Sequence, residues 1–512
     1  MSVAVRLISG SAASWTRIGV TMVSQIALVP LFLNHWSVET YGVWLALHAL
    51  EAVIVTLDLG HQTYLGYEFL RMARNDIPAL SRNLWSGVGI GFLLSILQVV
   101  FILLIIYTGL LPLLLGNSNG VPDELVNDAG VLFILLGLVW LIASSARGLI
   151  VRALEPFGYY PRLTWWNTCL LTVMNVCPAV AVVFGADLLT AGIVHSLAVI
   201  LCSVPIYLDV FSLLKKENVQ FTRPSLKLGI HNFLRSTGVS GKLILENARQ
   251  QGVRILLAPL SGMKGLAAFA TMRTGSNVAL QGLNTITNPL MPDLMRFLHD
   301  RDQVRSEAAF GTVWIVVVAL MSPTVIILQA FMEPIFSLWT QGQIEFDPLL
   351  FAILSLSVLV YAVAQPAIAV VVGNNLIRTQ LLLSVLAAMS LIGGIFLLVP
   401  WIGISGAGIA LLVAEVVAII GYTIIARQWL LKNSMVWPGG LFLVTLTSVC
   451  FAAIAMGAMV ILPHAKWLVL GIALIFLAWN IKRCWQLLPS VFTNRARHIF
   501  RTLPVIRIFF SF

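Results

Sequence analysis

The chain has 512 residues, of which 59% are hydrophobic and only 10% charged, with a mean hydropathy of +0.95. A soluble domain carries about 25% charged residues, so this composition excludes a soluble enzyme and fits a polytopic membrane protein. The formal net charge of +10 does not point to nucleic acid, because the basic residues lie largely in loops between apolar spans, as the positive-inside rule expects.

Fourteen helical spans are expected, at about 8–34, 41–66, 84–108, 129–151, 163–185, 188–212, 233–258, 265–290, 309–332, 349–373, 379–400, 404–427, 439–462 and 466–482. Basic residues follow every even-numbered span: Arg71, Arg74 and Arg82, then Arg152 and Arg162, then Lys215, Lys216, Arg223 and Lys227. Arg296, Arg301 and Arg305, then Arg378, then Arg427 and Lys432 continue the pattern, while the opposite loops hold only Lys264 and Lys466. Even-numbered exits, and both termini, are therefore expected in the cytoplasm. No cleavable signal peptide is evident, because the first apolar stretch is long and contains Arg17, Gln25 and Pro30. The five cysteines lie in or beside spans and make neither a disulfide framework nor a CxxC metal pair.

The first span carries Ser14, Arg17, Thr21, Ser24 and Gln25 on one face. Arg17 either snorkels to the interface or faces an internal cavity, and its place about ten residues into the span favours the cavity. The second span sets His48, Glu51, Asp58 and Gln62 on one face, with Arg17 the expected partner of the two acids. In the fifth and ninth spans Asn175 and Gln329 read as interhelical hydrogen-bonding residues, and Pro178 and Pro366 as kinks.

The seventh and eighth spans are the most polar. Arg235, Lys242, Glu246 and Arg249 share one face of the seventh, with Asn247, Gln251 and Arg254 on an adjoining face. Arg273, Asn277, Gln281, Asn284 and Asn288 form a stripe along the eighth. A charge at mid-bilayer costs about 2.5–3.5 kcal/mol on the insertion scale. A stripe of such residues therefore requires a wet, cation-rich cavity or pairing inside a bundle. Glu415, mid-way along the twelfth span, reads equally as a proton or cation site and as a buried protonated acid. The thirteenth and fourteenth spans look peripheral, and the tail 495–512 suits an amphipathic segment on the inner leaflet.

The chain also repeats. Val29-Pro30-Leu31 closes the first span and Ala258-Pro259-Leu260 the seventh, and the loops after the second and eighth spans each carry two arginines followed by acids. This implies parallel six-span lobes. The organisation expected is an N-lobe at 1–215, a linker at 216–232, a C-lobe at 233–430, two extra spans at 431–484 and a basic tail at 485–512.

Gly238-Val239-Ser240-Gly241-Lys242 lacks the spacing and the strand of a phosphate loop, and Asp300-Arg301-Asp302 reads as a solvated loop rather than a metal motif. No catalytic motif, metal site or cofactor is expected.

Tyr41-Gly42-Val43-Trp44, Leu57-Asp58-Leu59-Gly60 and the Arg71…Arg74 loop resemble the first hairpin of O-antigen flippases of the Wzx type. These are polysaccharide transporters of the superfamily that also holds the MATE exporters and the lipid II flippases. The resemblance covers about residues 1–430. It implies an all-α fold of two six-helix lobes around a central cavity, in a bacterial inner membrane. It also implies alternating-access transfer of a polyprenyl-diphosphate-linked oligosaccharide, coupled to an H+ or Na+ gradient, with polymerase or assembly proteins as partners. By similarity to lipid II flippases, Arg17 and Arg273 match cavity arginines of the first and eighth spans, whereas the second span departs by carrying Glu51 and Asp58. The expected substrate site is Arg17, Lys242, Arg249, Arg254, Arg273, Asn277, Gln281 and Asn284, and the ion-coupling or charge-balancing candidates are Glu51, Asp58, Glu246 and Glu415. A lipid II-type flippase, a multidrug antiporter and a membrane glycan polymerase are the alternatives.

Overall fold

The computed structural model describes residues 3–72, 75–116 and 122–494. Arg74 and the tail 495–512 lie outside the described residues, as do the side chains of Ser14, Asn284 and Asn288.

Every regular element among the described residues is a helix. The first span is α1 (Val3–His35). The second is broken into α2 (Val38–Ile54) and α3 (Thr56–Met72), bent by 46° rather than continuous as expected. The third is α4 (Ile77–Tyr107), followed by a short α5 (Leu110–Leu114). The fourth is α6 (Asp123–Val139), a π-helical turn (Trp140–Ser144) and α7 (Ser145–Leu154). The fifth and sixth are α8 (Tyr160–Val183) and α9 (Leu188–Lys216). The seventh and eighth form one long element, α10 (Leu226–His299), interrupted at Gly262, where φ is 70°. The ninth is α11 (Gln303–Val316), a second π turn (Val317–Met321) and α12 (Ser322–Trp339). The last five are α13 (Pro348–Gly373), α14 (Ile377–Ile402), α15 (Ile404–Lys432), α16 (Gly439–Ile461) and α17 (Lys466–Leu487). Twelve helices are long and apolar enough to span a membrane, thirteen with the bent pair joined. Dividing α10 at Gly262 gives the expected fourteen. This is a multi-pass all-α membrane protein.

Helices form here because a bilayer interior offers the backbone no partners but its own. Their starts are written in the acids between them. Asp76 Oδ1 accepts from Ala79 N (2.9 Å) at the start of α4, and Asp302 Oδ1 from Arg305 N (3.0 Å) at the start of α11. These are the acids of the two recurring loops, each capping the third helix of its repeat. Asp187 and Asp347 cap α9 and α13 in the same way. Asp302 thus has a capping role in the Asp300-Arg301-Asp302 loop.

Packing divides the chain into two compact units: Met1–Thr271 with Trp339–Ile344 and Ile395–Ile404, and the remainder. The seventh span therefore packs with the first unit, although its sequence repeat places it at the head of the second lobe.

In the first unit, Leu65, Phe69, Leu84, Leu149 and Val210 build a core from α3, α4, α7 and α9, and α1 lies along α8. The seventh span crosses α3 so closely that a Cβ on Gly60 would overlap Ser240. Asn232 Nδ2 donates to Asn83 Oδ1 on α4 (2.8 Å). Asn175 donates to Leu171 O of its own helix (2.9 Å), not across helices.

In the second unit, Val317, Met321, Val325, Leu359, Ala452, Met456 and Leu477 share a core. The thirteenth and fourteenth spans are thus built into this core rather than peripheral: α16 packs on α13 and brings the small residues Ala452 and Ala455 into the shared core. Asn480 ties α17 to α16 through Ser448 Oγ (2.8 Å) and Thr447 Oγ1 (3.1 Å). Gln329 reaches Pro348 O (3.0 Å) at the start of the next span, as expected. The helices run on through Pro178 and Pro366.

Candidate functional site

The polar centre of the first unit forms around the fourth span. A π turn widens the helix and leaves carbonyls without a regular partner. Here side chains supply one: Ala143 O accepts from Arg147 Nε (3.3 Å) and from Tyr207 OH of α9 (3.3 Å). Two residues on, Ser145 O accepts from Gln62 Nε2 of α3 (3.3 Å).

Asp58 stands opposite this turn. The break at Val55 places it in the first turn of α3, where the helix dipole favours an acid, and it is fully buried. Its Oδ2 accepts from Gln62 Nε2 (3.0 Å), one helical turn along, and from Trp140 Nε1 (2.9 Å), the first residue of the π turn. Its Oδ1 has no hydrogen-bond partner, nor has the buried Ser145 Oγ. Both crowd one glycine of α4: a Cβ on Gly91 would lie 2.9 Å from Ser145 Oγ and 3.3 Å from Asp58 Oδ1. Arg152 of α7 lies within electrostatic reach of the carboxyl, its side chain running past Gly66. Arg17 is not the partner of Asp58: it is exposed and makes no ion pair among the described residues. Glu51 is half-buried and likewise has no ion-pair partner there.

The seventh span brings its cations to the same unit. Lys242, Glu246, Arg249 and Arg254 are half-buried, while Arg235 is exposed. Asn247 Nδ2 donates to Thr56 Oγ1 (2.8 Å), fixing this helix to the start of α3. Arg254 Nη1 reaches Gln251 Oε1 (3.4 Å), and its buried Nε has no acceptor. Its guanidinium stands near Tyr41 of α2. Toward the span's end, Lys264 pairs with Glu39 (2.9 Å). Beyond Tyr41, His48 Nδ1 bonds to Trp44 O (2.9 Å), and its ring meets His195 edge-on at 5.5 Å.

In the second unit, Arg273, Asn277 and Gln281 are half-buried along the eighth span, and Ser276 Oγ bonds to Arg273 O (3.0 Å). Glu415 is buried in α15. The Asn284 side chain lies outside the described residues.

The structure therefore gathers Lys242, Glu246, Arg249 and Arg254 on one helix and Asp58 on another of the same unit. It adds residues that sequence reading passed over: Trp140, Arg147, Ser145 and Tyr207, with Arg152 expected only as a loop residue. Arg147 had a legible signal, a lone arginine inside a predicted span.

No protein-family signature matches the chain, and no curated protein matches it by sequence. Solved structures do match by fold. An inward-facing multidrug resistance MATE family transporter of the MOP superfamily superposes with a TM-score of 0.63 and 14% identity, covering 81% of this chain and 97% of that one. The lipid II flippase MurJ, in an inward closed conformation, gives 0.61 and 13%, covering 92% and 98%. A Vibrio cholerae MATE transporter, VcmN, gives 0.57 and 15%, covering 84% and 97%. The fold is thus that of MATE and MOP transporters.

Proposed function

We propose that this chain carries a polyprenyl-diphosphate-linked oligosaccharide, an O-antigen or exopolysaccharide repeat unit, from the cytoplasmic to the outer leaflet of a bacterial inner membrane. The carrying observation is the seventh span, a membrane helix that holds Lys242, Arg249 and Arg254 but a single acid, Glu246, and in which Arg254 keeps a buried Nε without an acceptor. A guanidinium whose buried Nε has no acceptor, and whose Nη1 has only a long bond to an amide, calls for an anion in a low-dielectric setting, and its planar fork suits phosphate oxygens. The amides of Asn277 and Gln281, with Asn284 on the same stripe, match sugar hydroxyls.

In this reading the two sequence lobes at 1–215 and 233–430 alternate access to the cavity. The prenyl tail stays in lipid, an H+ or Na+ gradient drives the cycle, and no cofactor takes part. Arg17 and Arg273 extend the cationic lining, and Glu51, Asp58, Glu246 and Glu415 balance its charge or carry the coupling ion. A lipid II-type substrate has the same diphosphate chemistry. An organic-cation antiporter fits less well, because such a cavity should be acidic and aromatic. A glycan polymerase would need a sizeable outer loop with reactive residues.

The test uses a strain lacking the gene, scoring lectin access to lipid-linked repeat units at the outer surface. Wild type restores access. Arg254→Ala, at matched protein level, lowers it roughly tenfold or more, the worth of one charge-assisted contact. Arg17→Ala and Arg273→Ala test the remaining lining. Access independent of the gene overturns the transport reading, and an Arg254→Ala variant equal to wild type overturns the site.

A further inference from the structure

Asp58 spans the distorted turn of the fourth helix from end to end. Its Oδ2 holds Trp140, the first residue of the turn (2.9 Å). Its Oδ1 stands with Ser145, the residue just after the turn, beside Gly91. Gln62 links the two, donating both to Asp58 Oδ2 (3.0 Å) and to Ser145 O (3.3 Å). The far side of the turn is held from α9 and α7, where Tyr207 and Arg147 share Ala143 O. Two buried oxygens, Asp58 Oδ1 and Ser145 Oγ, are left without a hydrogen bond.

We propose that Asp58 is where the coupling proton is bound and released, and that the π turn at Trp140–Ser144 is the element this proton moves. The proposal rests on the transport reading and names its coupling residue. With the proton on Oδ1, the carboxyl is neutral and has an O–H to donate. Trp140 and Gln62 hold its other oxygen, and the turn keeps the geometry described. Loss of the proton to water breaks that O–H bond and leaves a carboxylate, which recruits donors to both oxygens. Ser145 Oγ–H, already within reach of the carboxyl, is a donor without a well-formed bond, and Arg152 is the opposite charge that acts on it. Rotating Ser145 toward Oδ1 tightens the helix at the end of the π turn, and this loosens the shared bonds at Ala143 O. Proton gain reverses the change. A π turn suits this role because its hydrogen bonds have two nearly equal arrangements.

The other titratable groups around the site are His61 on α3, Arg147, Arg152 and Glu155 on the fourth span, and Tyr207 on the sixth. From the seventh span, Phe233, Ser240 and Asn247 touch α3, at His61, Gly60 and Thr56.

The test needs no transported substrate. The full chain in lipid nanodiscs is titrated from acid to alkali while two signals are followed. One is the infrared C=O stretch of a protonated carboxylic acid. The other is amide hydrogen exchange at residues 140–149, normalised to α4. In wild type a component of the carboxylic band disappears with rising pH, and exchange in the turn changes roughly tenfold over the same range, the size of one charge-assisted hydrogen bond. Asp58→Asn removes that component and leaves the turn insensitive to pH. Ser145→Ala keeps the component but blunts the exchange change, so the proposal stays testable if Asp58→Asn does not fold. A titrating component that is unchanged in Asp58→Asn, or a turn whose normalised exchange does not follow pH in wild type, overturns it. Failure of outer-leaflet glycan exposure to depend on the gene, with both signals intact, overturns the transport reading instead.

Discussion

The fourth and ninth spans contain the same backbone device, a five-residue π turn, dressed in opposite chemistry. At Trp140–Ser144 the loosened backbone is met by Arg147 and Tyr207, and neighbouring Trp140 and Ser145 face a buried acid. At Val317–Met321 the turn is dry: Val317, Val318 and Met321 are buried in apolar clusters. The nearest indole, Trp314, donates to the backbone at Val363 O (3.1 Å) rather than to an acid. A π turn therefore does not make a site by itself. In the ninth span it lets α17 pack, and in the fourth it frees polar groups that a carboxylate can bind.

The largest expected effect comes from moving the chemistry across. Val318→Asp places an unanswered charge in the dry turn and costs about 3–5 kcal/mol, as an uncompensated buried charge does. Protein should be lost from the membrane fraction, whereas Ala143→Ser in the polar turn should leave its amount near wild type. Intact accumulation of the Val318→Asp protein would mean the two turns are alike.

A smaller and sharper contrast pairs Trp140→Phe with Val317→Ala. Each costs about 1–3 kcal/mol, the first by removing a bond to a buried acid and the second by leaving a cavity. The proposed transport, measured per folded molecule, should fall for Trp140→Phe and stay unchanged for Val317→Ala. Equal transport per molecule would remove the functional difference between the turns.

The smallest effect is a control outside both turns. Asp187 caps α9, and its hydrogen bonds with Thr190 hold its carboxyl below the usual aspartate value. A depressed folded value stabilises above the unfolded value of about 3.9. That contribution is lost as pH falls through the folded value. Asp187→Ala should cost about 1 kcal/mol at neutral pH, and less in acid. Thermal unfolding in detergent across pH checks this, and a cost that grows in acid would refute the assignment.

Much of this was legible in the sequence. Apolar run lengths placed the spans, and the spacing of Asp58 and Gln62 at i, i+4 set them on one face, where they do bond. The cationic face of the seventh span was equally plain. The partners were not. Arg17 looked like the natural mate of Asp58, but the choice among an arginine, an indole and an amide is made by packing between helices, which periodicity does not encode. The π turns were invisible, because one extra residue inside a long apolar run leaves the pattern unchanged. The fourteenth span looked peripheral from its composition, yet Asn480 and the small residues of α16 fasten it into a core.

The makeup of the first unit also sets an order of events in biosynthesis. It contains not only Met1–Thr271 but two later pieces, Trp339–Ile344 and Ile395–Ile404. From these, Trp339 Nε1 donates to Ile26 O (2.7 Å), and Gln343 donates to Leu33 O. At roughly 5–20 residues per second, the ribosome needs on the order of ten seconds after Thr271 to deliver the last piece. During that interval the first span has backbone carbonyls and flank still waiting for their final neighbours. The unit made first is thus among the last to be finished. Truncation anywhere before Ile404 should leave it open to membrane quality-control proteases.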